Sequence, residues 1–397
     1  MKISSEEFAK KIINILNENG YEAFFVGGCV RDRLLDKEIH DYDIATSAPP
    51  QRVMEVLFPI KTHSTAIKHG TITAVQEENT AEITTYRLEG NYTDNRHPES
   101  LVFTDKLSLD LARRDFTINA MAYHPNTGIV DPFGGKYDLK RGILRCVGNP
   151  YERFGEDSLR IMRALRFLAS LGFTAEKNTK EAIFAQKHLL NNISRERIKS
   201  ELKRIICSSY PDSVLKEYEE VILCALKIEG TGKIYTGLSG IPVEEAMRFA
   251  LLLHKTKNPL EIMRGLKCEK KLTEECLSLI EDISFYPQNK THMAQYLINH
   301  GSAHARKVLA LKLVLGGKSA DVFGSFLKEL EENSPFFSLN DLDIKALDLT
   351  ENFSVRSREL GAVLHYLLLQ AASGNVRNTK SHLLKAAESY IKENLRS

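Results

Sequence analysis

Tryptophan is absent from the 397 residues, and cysteine is scarce, with six residues at positions 29, 146, 207, 224, 268 and 276. No two cysteines form a C-x-x-C pair and none shows metal-ligand spacing. That pattern excludes a disulfide framework or a zinc knuckle and leaves reduced thiols in mostly apolar settings. The missing tryptophan excludes nothing, because 14 Tyr and 18 Phe supply the aromatic side chains. No apolar run approaches the length of a membrane span, and the N-terminus (Met1-Lys2-Ile3-Ser4-Ser5-Glu6-Glu7) lacks the apolar core of a signal peptide. The chain is therefore expected in the cytoplasm, with no membrane partner. An excess charge of either sign is also missing. The net charge is +2, so any contact with nucleic acid must come from a local basic face. There is no internal repeat and no low-complexity tail. What remains is an ordinary globular composition, 43% apolar and 27% charged, long enough for two or more cores.

Strand and helix signals alternate at first and then give way to helices. Ser4 and Glu7 form a capping box before the stripe Phe8, Ile12, Ile15 and Leu16, and Gly20 supplies the stop. Strand-like runs are expected at 22–26, 41–45, 70–76, 80–86 and near 129–131, with a helix near 50–58 begun by Pro49-Pro50. The polar, Gly/Pro-containing stretch 87–100 reads as a mobile loop. From about residue 150 the spacing is helical, at 156–171, 179–191, 194–207 and 211–227, and again to the C-terminus. The predicted organisation is an α/β head over 1–148, a helical neck over 149–230, and a helical body and tail over 231–397. The stretch 230–240 and the turn 287–289 are the expected hinges.

Three constellations carry chemistry. In the first, Gly27 and Gly28 end a strand and open a short helix, a geometry that offers bare backbone N–H groups to an anion. Gly28 lets a phosphate approach the backbone, and Arg31 follows one turn on. Asp41 and Asp43 flank Tyr42 at strand spacing, which points both carboxylates to one face. Paired carboxylates beside a phosphate cradle suit nucleotidyl transfer with Mg²⁺ clamping the attacking and leaving oxygens. Taken alone, Asp41-x-Asp43 is equally a solvated strand end, and Glu82 on a neighbouring strand either completes the acidic cluster or is a plain exposed carboxylate. The second is Arg113-Arg114-Asp115-Phe116-Thr117-Ile118-Asn119-Ala120, a helix start with Asp115 and Asn119 at i, i+4. It faces a sugar or phosphate, or else it is a surface pair capping a helix. The third is Glu156-Asp157-Ser158-Leu159-Arg160, continued by Arg163 and Arg166. Asp157 and Arg160 offer an acceptor and a donor fork that match the Watson–Crick edge of a base. The bland alternative is an amphipathic helix with ion pairs. Residues 194–204 open with a loose capping box and read as a bracing helix whose basic face reaches RNA.

In this order and with these gaps, the motifs resemble the class II tRNA nucleotidyltransferases, the CCA-adding family with its CC-adding, A-adding and poly(A) polymerase relatives. The resemblance covers about residues 20–205. It implies an α+β head of the polymerase-β-like nucleotidyltransferase superfamily, followed by all-α neck, body and tail domains. Asp41 and Asp43 would hold Mg²⁺, and one would help activate the terminal 3′-hydroxyl. Arg114, Asp115 and Asn119 fall in the motif associated with ribose recognition. Asp157 and Arg160 would pair with the incoming base, first of CTP and then of ATP. Arg31, Arg114, Arg163 and Arg166 would bind the nucleotide, chiefly its phosphates. The helical remainder would grip the acceptor and TΨC arms of tRNA by shape and phosphate contact.

The family associates the loop after the first motif with addition of the final A. Here Arg87, Asp94, Arg96 and His97 could form that lever, which favours CCA or A addition over CC alone. A poly(A) polymerase is disfavoured by the plain C-terminal helix, Leu383 to Leu395. A paired His-Asp phosphohydrolase is disfavoured because Lys255, not Asp, follows His254. An idle RNA-binding relative would not need the intact Asp41/Asp43 and Asp157/Arg160 pairs.

Overall fold

A computed structural model describes residues 3–89, 101–230, 234–353 and 355–395. The chain divides into two compact units, Met1–Thr236 with Glu261–Lys267, and Gly237–Leu260 with Cys268–Ser397. One division falls inside the stretch 230–240, whereas the turn 287–289 lies within the second unit.

The first unit begins with α1 (Ser5–Glu18), capped as its sequence predicts: Glu7 N–H donates to Ser4 Oγ (3.2 Å) and Ser4 N–H to the Glu7 carboxylate (2.8 Å). Its buried stripe of Phe8, Ile12, Ile13 and Leu16 packs on a seven-stranded sheet. The strands are β1 (Ala23–Val26), β2 (Asp43–Thr46), β3 (Lys61–Ala66), β4 (Thr71–Gln76) and β5 (Asn79–Thr85), then β8 (Ala122–His124) and β9 (Gly128–Val130). Between them, β6 (Arg87–Glu89) and β7 (Leu101–Phe103) pair as a separate ribbon. The sheet order is β3-β4-β5-β2-β1-β8-β9, and β2 with β5 is its parallel pair. The first motif therefore sits at mid-sheet. α2 (Gly28–Leu34) leaves the end of β1, and Asp43 opens the adjacent β2. α3 (Pro50–Leu57) starts at Pro50, where a missing N–H costs nothing. α4 (Leu107–Ala112) and α5 (Gly135–Arg141) complete the head.

Helices follow: α6 (Pro150–Glu156), α7 (Leu159–Leu171), α8 (Lys177–Gln186) and α9 (Arg195–Ile206). The expected single helix 156–171 is broken at Asp157, which is extended at φ −134°, ψ 100°. Its carboxylate accepts the N–H of Leu159 (3.1 Å), a local bond that competes with helix continuation. α7 packs on α9, and Ile161 and Leu165 of the one and Ile198, Leu202 and Ile205 of the other are all fully buried. Each such side chain contributes about 1.5–3 kcal/mol of transfer free energy. Ser194 sits at the N-cap of α9 but makes no side-chain capping bond, so the loose box is not one. The run 211–227 is two helices, Pro211–Glu217 and Glu219–Leu226.

The second unit is helical. Its longest helices are Lys270–Ile283, Lys290–Leu315, Lys318–Asn333, Ser357–Ala372 and Lys380–Asn394. Among the described residues no helix is long and apolar enough to cross a membrane.

Candidate active site

A cleft of about 740 Å³ in the first unit gathers all three constellations: Gly27, Gly28, Arg31, Asp41 and Asp43; Arg114, Asp115 and Asn119; Asp157, Arg160, Arg163 and Arg166. Glu82 lines a smaller adjoining cavity of about 230 Å³ that shares Asp43 and Arg114 with the cleft.

The turn at the end of β1 is built around Gly27, not Gly28. Gly27 has φ +71°, and a Cβ there would lie 3.1 Å from Arg114 Nη1 and 3.6 Å from Asp43 Oδ2. A side chain would meet both left-handed strain and the site itself. Gly28 has ordinary φ, and a Cβ there would lie 3.7 Å from Arg31 Nη2.

Asp41 precedes β2 and is exposed, Tyr42 is buried, and Asp43 is half-buried at the first strand position. The parallel pairing sets Asp43 directly opposite Glu82. Burial, the facing Glu82 and then Asp41 push the Asp43 carboxyl up to about 6, although Arg114 opposes them. Like charges gathered in low dielectric favour a proton or a cation. Beside them, burial lifts the Cys29 thiol to about 11, so it stays protonated and is no nucleophile.

The second motif is not a helix start. Phe116 is extended, and Thr117–Asn119 forms one 3₁₀ turn. The Asp115 carboxylate satisfies local donors, Phe116 N–H (2.8 Å) and Asn119 Nδ2 (3.1 Å), which hold the backbone out of a helix. Arg163 Nε donates to the other Asp115 oxygen (2.9 Å), and Arg31 Nη1 donates to Asn119 Oδ1 (2.8 Å). Burial works to raise the Asp115 pKa, but Arg163 and these donors hold its carboxyl below the ordinary range. Arg113 and Arg114 are both tied to the fully buried Asp110, with Arg114 Nη2 at 3.1 Å. Despite burial, the two guanidiniums keep Asp110 ionised below the usual carboxylate range.

In the third motif each candidate side chain is held by a protein partner. Arg197 of α9 donates to Asp157 Oδ2 (3.1 Å). Arg160 is 8% exposed and ion-pairs with Glu156, with further bonds to the carbonyls of Arg153 (3.1 Å) and Arg113 (3.2 Å). Arg166 pairs with Glu201 at 2.8 Å. The guanidiniums of Arg31, Arg163 and Arg166 lie 5.2, 5.6 and 4.2 Å from the centroid of the Phe167 ring, so one aromatic ring gathers three cations.

Sequence reasoning did not single out Asp110, Phe167, Arg197 or Arg204 as site residues, though Arg197, Arg204 and Phe167 line the cleft. The available signal was the i, i+7 pair Arg197/Arg204 on one face of α9. Asp94, Arg96 and His97 lie outside the described residues.

This geometry can hold a triphosphate beside a carboxylate cluster and a polar edge-reading pair. The chain is similar to known proteins with that architecture. The family model described as "Poly A polymerase head domain" matches residues 23–145, and "Probable RNA and SrmB- binding site of polymerase A" matches residues 172–224. A CCA-adding enzyme of Geobacillus thermodenitrificans is 38% identical over 77% of this chain and 78% of its own length. One from Lactobacillus delbrueckii subsp. bulgaricus is 33% identical over 94% of this chain and 95% of its own. The crystal structure of Bacillus stearothermophilus CCA-adding enzyme in complex with CTP superposes with a TM-score of 0.79 at 28% identity, covering 100% of both chains.

Proposed function

The chain belongs to the family of CCA-adding enzymes, and from that premise we infer which residues of the cleft carry each part of the reaction. The protein is an enzyme that adds C, C and A to the 3′ end of tRNA from CTP and ATP. In each addition the terminal 3′-oxygen bonds to the α-phosphorus of the nucleotide, pyrophosphate leaves, and the hydroxyl proton passes to a base.

Asp41 and Asp43 form the metal-binding pair, with Glu82 beside them. The donors are all carboxylate oxygens, and Asp43 is lifted by burial and by its neighbours' charge, a combination that fits a hard divalent cation, Mg²⁺. When bound, such an ion supplies Lewis acidity that acidifies the 3′-hydroxyl and neutralises charge on the phosphates. An ionised carboxylate of the pair accepts the hydroxyl proton. The Gly27-Gly28 turn and Arg31, Arg114, Arg163 and Arg166 hold the triphosphate and neutralise the departing pyrophosphate. Asp115 and Asn119, fixed by Arg163 and Arg31, meet the ribose. Asp157 and Arg160 read the base edge, and UTP or GTP would leave buried polar groups unpaired.

The observation that carries this reading is the presence of the Asp41/Asp43 pair and the Asp157/Arg160 pair in one cleft. It is tested with transcripts ending at the discriminator base, after C, and after CC, each given labelled CTP, ATP or both with Mg²⁺. The expected result is two C and then one A, abolished in Asp43→Ala with tRNA binding intact. Full activity of that variant would sink the metal assignment. Asp157→Ala and Arg160→Ala should lose discrimination among nucleotides more than they lose chemistry.

A further inference from the structure

In the second unit, far along the chain from these motifs, three potential ligands converge. Asp282 lies in the last turn of the helix Lys270–Ile283 and is 8% exposed. His300 and His304 lie on the helix Lys290–Leu315, on either side of Gly301. His304 Nε2 is 2.7 Å from Asp282 Oδ2, His300 Nδ1 is 3.6 Å from the same oxygen, and the three ligand atoms lie within 4.8 Å of one another.

We propose that Asp282, His300 and His304 form a binding site for a divalent transition-metal ion of the zinc class, separate from the carboxylate cluster of the head. Three features carry it. First, the spacing suits a shared ion: tetrahedral bonds of about 2.0–2.2 Å require ligand atoms roughly 3.3 Å apart, which the two observed separations bracket. At 3.6 Å His300 is aimed at the carboxylate but is too distant for a good hydrogen bond, and an ion between them would satisfy both.

Second, the ligands are held by an outer set. Tyr296 donates its hydroxyl to Asp282 Oδ2 (2.8 Å) and stacks on the His300 ring (4.6 Å, 19°). His300 stacks on His304 (5.3 Å, 28°), and Phe285 covers the other face of Tyr296 (4.4 Å). Fixed ring orientation and a hydrogen-bonded carboxylate are what a metal site requires of its surroundings. The nearby cation Lys312 is engaged by the carbonyls of Ile283 (2.6 Å) and Phe285 (2.8 Å), and by Ser319 (3.1 Å).

Third, the backbone between the histidines is non-helical. Gly301 has φ 78°, ψ 158°, a conformation open essentially to glycine. The resulting kink sets the angle between the two histidine-bearing halves. Two imidazoles and one carboxylate favour Zn²⁺, Co²⁺ or Ni²⁺ over Mg²⁺, and three protein ligands leave a fourth position for water.

The test uses the untagged full-length protein, stripped with chelator and kept in excess Mg²⁺ so that the head carboxylates are occupied. Titration with Co²⁺ should give one equivalent of strong tetrahedral visible absorption, which Zn²⁺ displaces. Asp282→Asn, His300→Gln and His304→Gln should each weaken binding at least about 100-fold, and Tyr296→Phe about 10–100-fold. Mg²⁺-dependent CCA addition should persist in every variant. His300→Gln is the decisive one, since its side chain is 35% exposed and its loss spares the core. Absence of the Co²⁺ spectrum in the wild-type protein would overturn the proposal. So would an unchanged affinity in a folded His300→Gln variant.

Discussion

At Asp43 the fold holds a carboxylate where its charge is unwelcome. Burial and the negative Glu82 raise its pKa to about 6. The sign of the linkage follows. In the metal-free protein Asp43 contributes stability below the ordinary carboxylate pKa, and that contribution is lost as pH rises through about 6, because the folded state then gives up a proton it held more tightly than the unfolded chain. Asp43→Asn should therefore raise stability in chelator at pH 7.5, by on the order of 1–3 kcal/mol, while abolishing nucleotide incorporation. Urea unfolding with and without Mg²⁺ checks both halves, and equal stability of the two proteins in chelator would show that Asp43 is not strained. Because a proton and Mg²⁺ compete for Asp43, the Mg²⁺ concentration needed for half-maximal incorporation should rise as pH drops through about 6. Gly27 and the closeness of Asp41 and Asp43 were legible in the sequence because both are local, although the strand expected from 41 begins only at Asp43. Glu82 was only half legible, since its value depends on the parallel register with β2, which nothing local states.

Among the elements, the break between α6 and α7 matters most. A continuous helix would have put Asp157 one turn from Arg160 on a single face. Instead Asp157 hangs in extended backbone, positioned by Arg197 from α9, 40 residues away in sequence. Helical spacing identified α7 and α9 but could not show the break, because Glu156-Asp157-Ser158 is tolerable helix sequence and the competing bond to Leu159 is a matter of side-chain geometry. It likewise missed the buried Asp110, an acid inside an apolar pattern whose partners are the two site arginines, and the Asp282/His300/His304 group, which the Gly301 kink assembles. On the proposed assignment of Asp157, Arg197 is a positioning residue. Arg197→Ala should lower kcat/KM for CTP and ATP by about 10–100-fold and raise misincorporation of UTP and GTP, with Tm little changed. Arg197→Lys should restore part of the fidelity. Loss of rate with fidelity unchanged would mean that Arg197 contacts tRNA instead of bracing Asp157.

For the whole molecule, charge distribution is more telling than charge. Among the described residues the cleft is lined by nine arginines and six carboxylates, a local excess of three positive charges in a chain whose net charge is +2. Substrate binding should therefore weaken with salt: two released counterions correspond to a roughly tenfold rise in KM for tRNA between about 50 and about 200 mM KCl. A flat profile would show that the arginines are neutralised structurally and leave no field for the substrate. The composition revealed the near balance of charges, while their segregation needed the fold, because the nine arginines come from five separate stretches of sequence. Outside the cleft the remaining side chains sum to about one negative charge, by difference from those same figures. Summed over the exterior, attraction to ribosomal or messenger RNA is therefore weak, and any grip outside the cleft must come from a local basic face. Retention would depend on a free 3′ terminus slender enough to enter the recess. Bulk duplex RNA lacking such an end should be a feeble competitor of tRNA.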